Sequence, residues 1–327
     1  MDSAKLSSRS LIMCVTPLQM IIAEKIIELN PDEIFDVLVI ALNNNDKYKY
    51  YFDRLKKTCV ASLYYIPDKG VKGFFSYTRK LEICKLNAKY QNIYLASIDS
   101  RHFQYIISKN KAANIYTFDD GTANIIPSSL YYSNSKPKFF KRAIWRILGV
   151  KYYMEDLKKI SLSHYTIYKD IPNIIENKVF LSLFPRSDVS NDKGKQKQVI
   201  KFYLGQPLTE ISEIFDISYV EKNINKLGID YYYPHPREKV CPKGGFKLVE
   251  SPLIFEDYIV QFLVENPDVN IEVFSFISTT LLNIMNLNNV YVSYIHDTQL
   301  FNLHQEFYNF AYNSFGINHL DLDNEFL

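Results

Sequence analysis

Apolar residues fall along this chain in short continuous runs separated by amphipathic stretches, the rhythm of a parallel sheet covered by helices. The clearest run is Asp36 to Leu42 (DVLVIAL). It shows no polar alternation, as a strand buried on both faces requires. Ser10 to Val15 predicts a strand before it, after which Thr16 is an N-cap and Pro17 a first-turn residue for a helix carrying Ile21, Ile22, Ile26 and Ile27. Further strands are predicted at Ala61 to Ile66, Asn92 to Ala96 and Asn114 to Phe118. A Tyr-rich polar helix near Lys47 to Lys57 and helical segments near Ser76 to Ala88 and His102 to Ser108 lie between them.

The rhythm loosens between Lys136 and Lys197. Lys138 to Leu148 predicts a basic helix, His164 to Tyr168 a short strand, and Ser187 to Lys197 (SDVSNDKGKQK) a polar, turn-rich linker. Alternation then restarts with strands at Val199 to Leu204, Tyr231 to Tyr233, Ile271 to Phe276 and Val290 to Tyr294. Helices are predicted over Thr209 to Lys226, Pro252 to Val264, from Ser278 to Met285, and over Leu303 to Ser314. Two α/β halves joined by a linker predict two Rossmann-like domains, 1–190 and 191–327, facing a cleft.

Composition refines this picture without redirecting it. Lys and Arg number 38 and Asp and Glu 36, a net charge of +2, so the chain lacks the concentrated basic face of a nucleic-acid binder. Two local basic runs, Lys136 to Arg146 and Lys193 to Lys201, are explained most cheaply as a solvated helix face and a loop. The weaker reading sets them near an anionic membrane surface. Cys14, Cys59, Cys84 and Cys241 are scattered without metal-ligand spacing, which predicts buried reduced thiols in a cytosolic protein. The apolar stretch Leu11 to Val15 is too short for a signal or a membrane span. The expectation is therefore a cytoplasmic protein, with peripheral contact at the inner face of the membrane left open.

Signatures of dinucleotide, P-loop and serine-hydrolase enzymes are missing from the sequence, as is zinc-ligand spacing. Pro234-His235-Pro236, followed by Arg237, ends a predicted strand. Two prolines hold the backbone extended and aim the imidazole, so His235 is either a proton donor to a departing phosphate or part of a stiff loop. Asp119-Asp120-Gly121 follows another strand, at the carboxyl end where open α/β sheets bind ligands. Adjacent carboxylates point apart, so one faces outward, where desolvation can raise its pKa enough to make a base. An Asx turn is the plainer explanation. Phe276-Ile277-Ser278-Thr279-Thr280 brings hydroxyls to a strand-to-helix junction, a phosphate site or an ordinary N-cap. Glu256-Asp257 offers carboxylates to ribose hydroxyls or to solvent. Asp321-Leu322-Asp323 has the spacing of a Mg²⁺ pair but sits at the chain's end, so no metal is assigned.

Taken together and in order, these segments resemble the bacterial sialyltransferases that cap lipooligosaccharide and capsular polysaccharide, glycosyltransferase family 52. The resemblance runs from about Leu11 to Phe315. It passes through Thr16-Pro17-Leu18-Gln19-Met20, Lys49-Tyr50-Tyr51-Phe52, Ile93 to Ser97, Thr117 to Thr122, His164 to Tyr168 and Leu204-Gly205. Pro234 to Arg237, Ser251-Pro252 with Glu256-Asp257-Tyr258, and Phe274 to Ser278 complete it. The resemblance implies a metal-independent, inverting, cofactor-free enzyme of the GT-B type. Such enzymes move sialic acid from CMP-sialic acid to a terminal galactose hydroxyl, commonly in α2,3 linkage. By resemblance, the second half would bind the donor: His235 on the leaving phosphate, Ser278 and Thr279 holding it, Glu256 on the ribose, and Gly205, Pro234, Pro236 and Phe276 around them. The first half, with Asp119 and Asp120, would face the acceptor.

One position departs from the family pattern. Where a similar relative carries an aspartate after Gly-x-Pro, this chain has Leu208 after Gly205-Gln206-Pro207, and leucine cannot take a proton. The base is then Glu210, two residues on, or Asp119 or Asp120, with Asp120 preferred. The alternatives are a GT-B enzyme using another nucleotide sugar, and an inactive glycan- or nucleotide-binding protein. Expected partners are a nucleotide-sugar donor and a galactose-terminated glycan, with a homodimer suggested by relatives that pair; nucleic acid is not among them.

Overall fold

The computed structural model describes residues 8–68, 70–133, 139–183, 197–238 and 240–322. The chain divides into two compact units, Met1–Leu183 and Phe184–Leu327. The expected boundary between 190 and 191, and all but the last residue of the expected linker, lie outside the described residues.

The first unit runs β1 (Ser8–Cys14), α1 (Pro17–Leu29), β2 (Glu33–Ile40), α2 (Asp46–Leu55), β3 (Ser62–Tyr65), α3 (Gly70–Ile83) and β4 (Asn92–Leu95). It continues with α4 (Arg101–Lys109), β5 (Asn114–Phe118), α5 (Phe139–Ile147), α6 (Met154–Ile160), β6 (Ser161–Thr166) and β7 (Lys178–Phe180). Its strands form one parallel sheet in the order β3-β2-β1-β4-β5-β6-β7. Leu11 to Cys14 and Val37 to Ile40 are fully buried, as strands covered on both faces must be. The single charge in the run from 36 to 42, Asp36, is buried but satisfied. It pairs with Arg9 at 2.8 Å and accepts the Tyr90 hydroxyl and the Ala61 amide, each at 3.0 Å. Helix α1 begins where Thr16 predicts. The Thr16 hydroxyl accepts the Gln19 amide, and the Gln19 side chain returns to the Thr16 amide.

The second unit runs β8 (Gln198–Leu204), α7 (Ile217–Leu227), β9 (Tyr231–Tyr233), β10 (Lys247–Leu248), α8 (Phe255–Glu265) and β11 (Val269–Ser275). It closes with α9 (Thr280–Ile284), β12 (Val290–Ile295), α10 (Thr298–Leu303), α11 (Gln305–Phe315) and β13 (His319–Leu320). Its sheet, order β10-β9-β8-β11-β12-β13, is also parallel throughout. Each sheet grows one way from its first strand and then the other. The reversals fall between β1 and β4 and between β8 and β11, and doubly wound sheets bind ligands outside the carboxyl ends at that point.

Several elements differ from expectation. The helix expected from Thr209 begins at Ile217, because Asp216 caps it by accepting the Tyr219 amide at 2.8 Å; only one 3₁₀ turn, Leu208–Glu210, precedes it. Helix α9 spans five residues rather than continuing from Ser278 to Met285. The edge strands β7, β10 and β13 are too short to carry a readable period. All four cysteines are free thiols, but only Cys14 is fully buried, the other three being partly exposed. Among the described residues, no helix is long and apolar enough to cross a membrane.

Candidate active site

Beyond β5 the chain reaches Asp119 and Asp120 and turns at Gly121, whose φ of +56° suits glycine and strains other residues. The two carboxylates part company there. Asp119 is fully buried, with His164 Nε2 2.9 Å from one oxygen. It accepts the Thr166 hydroxyl at 2.8 Å, the Ile167 amide at 2.7 Å and the Asn173 side chain at 3.3 Å. So placed, it fastens β5 to β6 and has no face open to a substrate. The expectation that Asp119 could be the base is corrected accordingly.

Asp120 is partly exposed. Its Oδ2 accepts the Tyr131 hydroxyl at 2.6 Å and the Ser97 hydroxyl at 3.0 Å, and its Oδ1 accepts the Gln19 side-chain amide. The Gln19 carbonyl is already taken by the Val15 and Thr16 amides at 2.6 and 3.3 Å, so its NH₂ end has to face Ser97 and Asp120. The cap of α1 therefore also orients the carboxylate. Burial pushes the Asp120 carboxyl above its ordinary value, outweighing the hydrogen bonds from Tyr131, Ser97 and Gln19, and Asp99 adds to the rise. A carboxylate so raised is suited to take a proton from a hydroxyl. Ser97, at the end of β4, holds a φ of +43°, a strain of the kind concentrated at functional sites. Sequence reasoning misses the roles of Gln19, Ser97 and Tyr131. The first two lie in stretches on which the sequence resemblance rests, whereas Tyr131 carries no local signal.

In the second unit, Pro234 and Pro236 flank a half-buried His235 after β9. The Arg237 amide donates to His235 Nδ1 at 3.1 Å, which leaves the ring proton on Nε2. Burial and the Arg237 guanidinium, partly opposed by Glu210, lower the His235 pKa to about 4. His235 is thus a neutral hydrogen-bond donor near pH 7. Its loop is tied down by Glu238, which accepts the His235 amide and the Tyr232 hydroxyl, each at 2.6 Å. Burial raises the Glu238 carboxyl above its ordinary value, while bonds from Tyr232, His235 and Gln206 oppose the rise. Glu238 therefore fastens the histidine loop to the end of β8. It went unnoticed in the sequence although it stands three residues after His235.

Gly205 closes β8, its amide bonded to the Tyr233 carbonyl at 2.8 Å. A Cβ at this position would stand 2.3 Å from Glu238 Oε2 and 2.7 Å from the Tyr232 hydroxyl. Gly205→Ala should therefore force the carboxylate from its donors, lowering Tm by about 3–8 °C. Thermal melting checks this; an unchanged profile would mean the carboxylate moves freely. Glu210 lies in the same loop cluster, with Oε2 2.5 Å from Arg237 Nη1, both residues being exposed. Leu208 is buried in the second unit's core at 2% exposure, a packing residue with no proton to exchange.

After β11, Phe276 is fully buried and packs on Tyr203 and Tyr219 at ring distances of 6.3 and 5.5 Å. Its side chain is part of the core, which leaves only its backbone for the donor contact expected of Phe276 by resemblance. The Tyr308 and Tyr294 hydroxyls donate to the Phe276 and Ser278 carbonyls, both at 2.7 Å, bracing the loop from beneath. The Ser278 hydroxyl accepts the Thr280 amide at 3.3 Å; Thr279 is exposed and its hydroxyl does not cap α9. A helix of five residues sums few peptide dipoles, so this loop offers hydroxyls more than a helix end. Glu256, in the first turn of α8, accepts the Asn283 side chain at 2.8 Å. Burial raises its carboxyl above the ordinary value against bonds from Asn283, its own amide and Thr280. Among the described residues, no cluster of His, Cys, Asp and Glu could hold a metal ion. Asp323 of the Asp321-Leu322-Asp323 pair lies outside the described residues.

The sequence profile of glycosyltransferase family 52 matches residues 33–299. A Pasteurella multocida (strain Pm70) protein named CMP-N-acetylneuraminate:beta-galactoside alpha-2,3-sialyltransferase is 33% identical over 277 residues, 85% of this chain and 87% of its own. An N-acetyllactosaminide alpha-2,3-sialyltransferase of Haemophilus influenzae is 32% identical, with 88% and 91% covered. A protein of the same name from Neisseria meningitidis is 31% identical, with 86% and 77% covered. Among solved structures, an Arabidopsis thaliana protein complexed with UDP-L-rhamnose is similar at a TM-score of 0.53 and 11% identity, covering 98% of this chain and 88% of its own. At that identity the likeness speaks for the fold alone, a GT-B-type pair of Rossmann-like units. With its profile matched over most of its length and relatives above 30% identity, this chain belongs to glycosyltransferase family 52.

Proposed function

We propose that this protein is a CMP-sialic acid:galactoside sialyltransferase, inverting and independent of metal ions, acting on the terminal galactose of a bacterial surface glycan with α2,3 linkage. The observation that carries this reading is that three relatives from three organisms, each matched over at least 85% of this chain, are all named as alpha-2,3-sialyltransferases. The donor belongs to the second unit. There His235 offers its Nε2 proton to a phosphate oxygen of CMP, an anion that draws the imidazole pKa back upward from about 4. Ser278 and Thr279 add hydroxyl donors, and Glu256 takes the ribose. As the bond from the sialyl anomeric carbon to the phosphate oxygen breaks, its electron pair leaves with CMP and His235 stabilises the charge.

Acceptor activation belongs to the first unit. Asp120 takes the proton of the galactose hydroxyl as that oxygen bonds to the anomeric carbon. A monophosphate leaving group is small enough for an imidazole and hydroxyls to meet its charge, so no metal enters the reading. A soluble donor and a galactoside are the partners it requires; pairing of two chains is not.

Incubation with CMP-sialic acid and a panel of β-galactosides, read by mass, should yield sialylated product and equimolar CMP, unaffected by EDTA. CMP at 100 times its Kd should stabilise the fold by about 2.7 kcal/mol, whereas UDP and GDP should not. Stabilisation by UDP or GDP instead would reassign the donor. CMP binding without product would favour an inert binding protein, and Mg²⁺-dependent transfer would overturn the metal-free mechanism.

A further inference from the structure

We propose that α5 is a docking helix that seats the first unit on an anionic lipid surface, a property that goes beyond the transfer reaction. From residue 121 to residue 154 the chain has no Asp or Glu and six basic residues: Lys136, Lys138, Lys141, Arg142, Arg146 and Lys151. That is +6 in one stretch of a chain whose net charge is +2.

Helix α5 lies within this stretch and is anchored by Trp145, which meets Phe74 of α3 edge-on at 5.1 Å and packs against the first unit's core. A helix held inward by one aromatic ring would ordinarily turn polar residues to water. Here Phe140 is 82% exposed, Ile144 48% and Ile147 85%. These are positions i, i+4 and i+7, which share one helix face. Lys141, Arg142 and Arg146 are exposed around that stripe. Neighbouring α3 adds exposed Val71 and Phe75, one turn apart, with Lys72 beside them.

An outward apolar stripe bordered by cations, on a stretch that carries no acid of its own between residues 121 and 154, has the composition of helices that lie in the membrane interface. The apolar side chains enter the acyl boundary while the cations meet lipid phosphates. A second copy of this chain would bring like charge against like charge, and a nucleic acid would leave Phe140, Ile144 and Ile147 unburied. The structure thus turns the basic run that sequence alone explains as a solvated face into one with an apolar centre.

Co-sedimentation of the full chain with vesicles tests the proposal. The protein should pellet with phosphatidylcholine vesicles containing phosphatidylglycerol, pellet poorly with phosphatidylcholine alone, and release as salt rises. The triple variants Phe140→Ser/Ile144→Ser/Ile147→Ser and Lys141→Glu/Arg142→Glu/Arg146→Glu should each cut partitioning by about tenfold or more while the chain stays folded, the second with a small fall in Tm because Arg142 lies over the Tyr153 ring at 4.7 Å. The single variant Phe140→Ser, with a smaller loss, guards against misfolding of the triple. Equal binding to neutral and anionic vesicles, or anionic binding that survives both triples, would overturn the proposal. So would absence of vesicle binding together with a dimer that the serine triple dissociates, which would assign the stripe to a second copy. No arm measures sugar transfer, so failure here and failure of the sialyltransferase reading are separate results.

Discussion

Asp120→Asn should lower the transfer rate by about 10²–10⁴-fold, the usual contribution of a general base, while the folded chain still binds CMP. The fold should survive because the neighbours can adapt. The Ser97 and Tyr131 hydroxyls rotate to accept from an amide as readily as they donate to a carboxylate. Asp119→Asn should behave oppositely. Its new NH₂ group would face donors already aimed inward, among them the Ile167 amide and the Thr166 hydroxyl. The cost is about 1–3 kcal/mol for each donor left unmatched in the buried site, so Tm falls while the rate per folded molecule holds. Rate assays paired with thermal melts on the two variants separate these roles. A rate lost in Asp119→Asn but kept in Asp120→Asn would exchange the assignments.

His235→Ala should cost about 10²–10⁴-fold in rate without unfolding the second unit, because the bond to Glu238 uses the backbone amide of residue 235 and survives the change. Its pH signature is distinctive. With a pKa of about 4, His235 is neutral through the physiological range, so kcat/KM of the free enzyme shows no break at the ordinary histidine value. The acid limb belongs instead to Asp120, whose raised carboxyl loses its capacity as a base when protonated. That limb should persist in His235→Ala and disappear in Asp120→Asn. Stability carries a matching sign. The folded His235 pKa lies below the ordinary histidine value of 6.5, so the unfolded chain binds the proton first and stability is lost as pH falls from 6.5 toward 4. His235→Ala should flatten part of that decline. A break near pH 6.5 in wild-type kcat/KM that vanishes in His235→Ala would show the imidazole to be charged in the free enzyme.

The elements most legible in the sequence were those whose signal is local. β5 runs from Asn114 to Phe118 as predicted, and β2 carries its apolar run from 36 to 40. Local chemistry also marked Thr16 as a cap. What escaped depends on partners far away in the chain. The amide that orients Asp120 comes from Gln19, 101 positions earlier, and the phenols bracing the loop at 276–278 come from Tyr294 and Tyr308. Burial is equally invisible locally. Asp119 and Phe276 looked like site residues by position, yet neighbouring strands and helices enclose both. Glu238 reads as one more charge after a proline-rich turn until Gly205 opens the space in which its carboxylate lies.

Trp145 is the one tryptophan in the chain, so selective excitation of indole draws its light from a single ring between α5 and α3. The colour of that emission depends on how wet the ring is, and its quenching on what can reach it. Seating α5 on a surface, or prising it off Phe74, should therefore change the fluorescence of the native protein without any attached dye. A change confined to the second unit should leave it alone. The fold thus carries its own optical probe, fixed at the helix proposed to meet lipid.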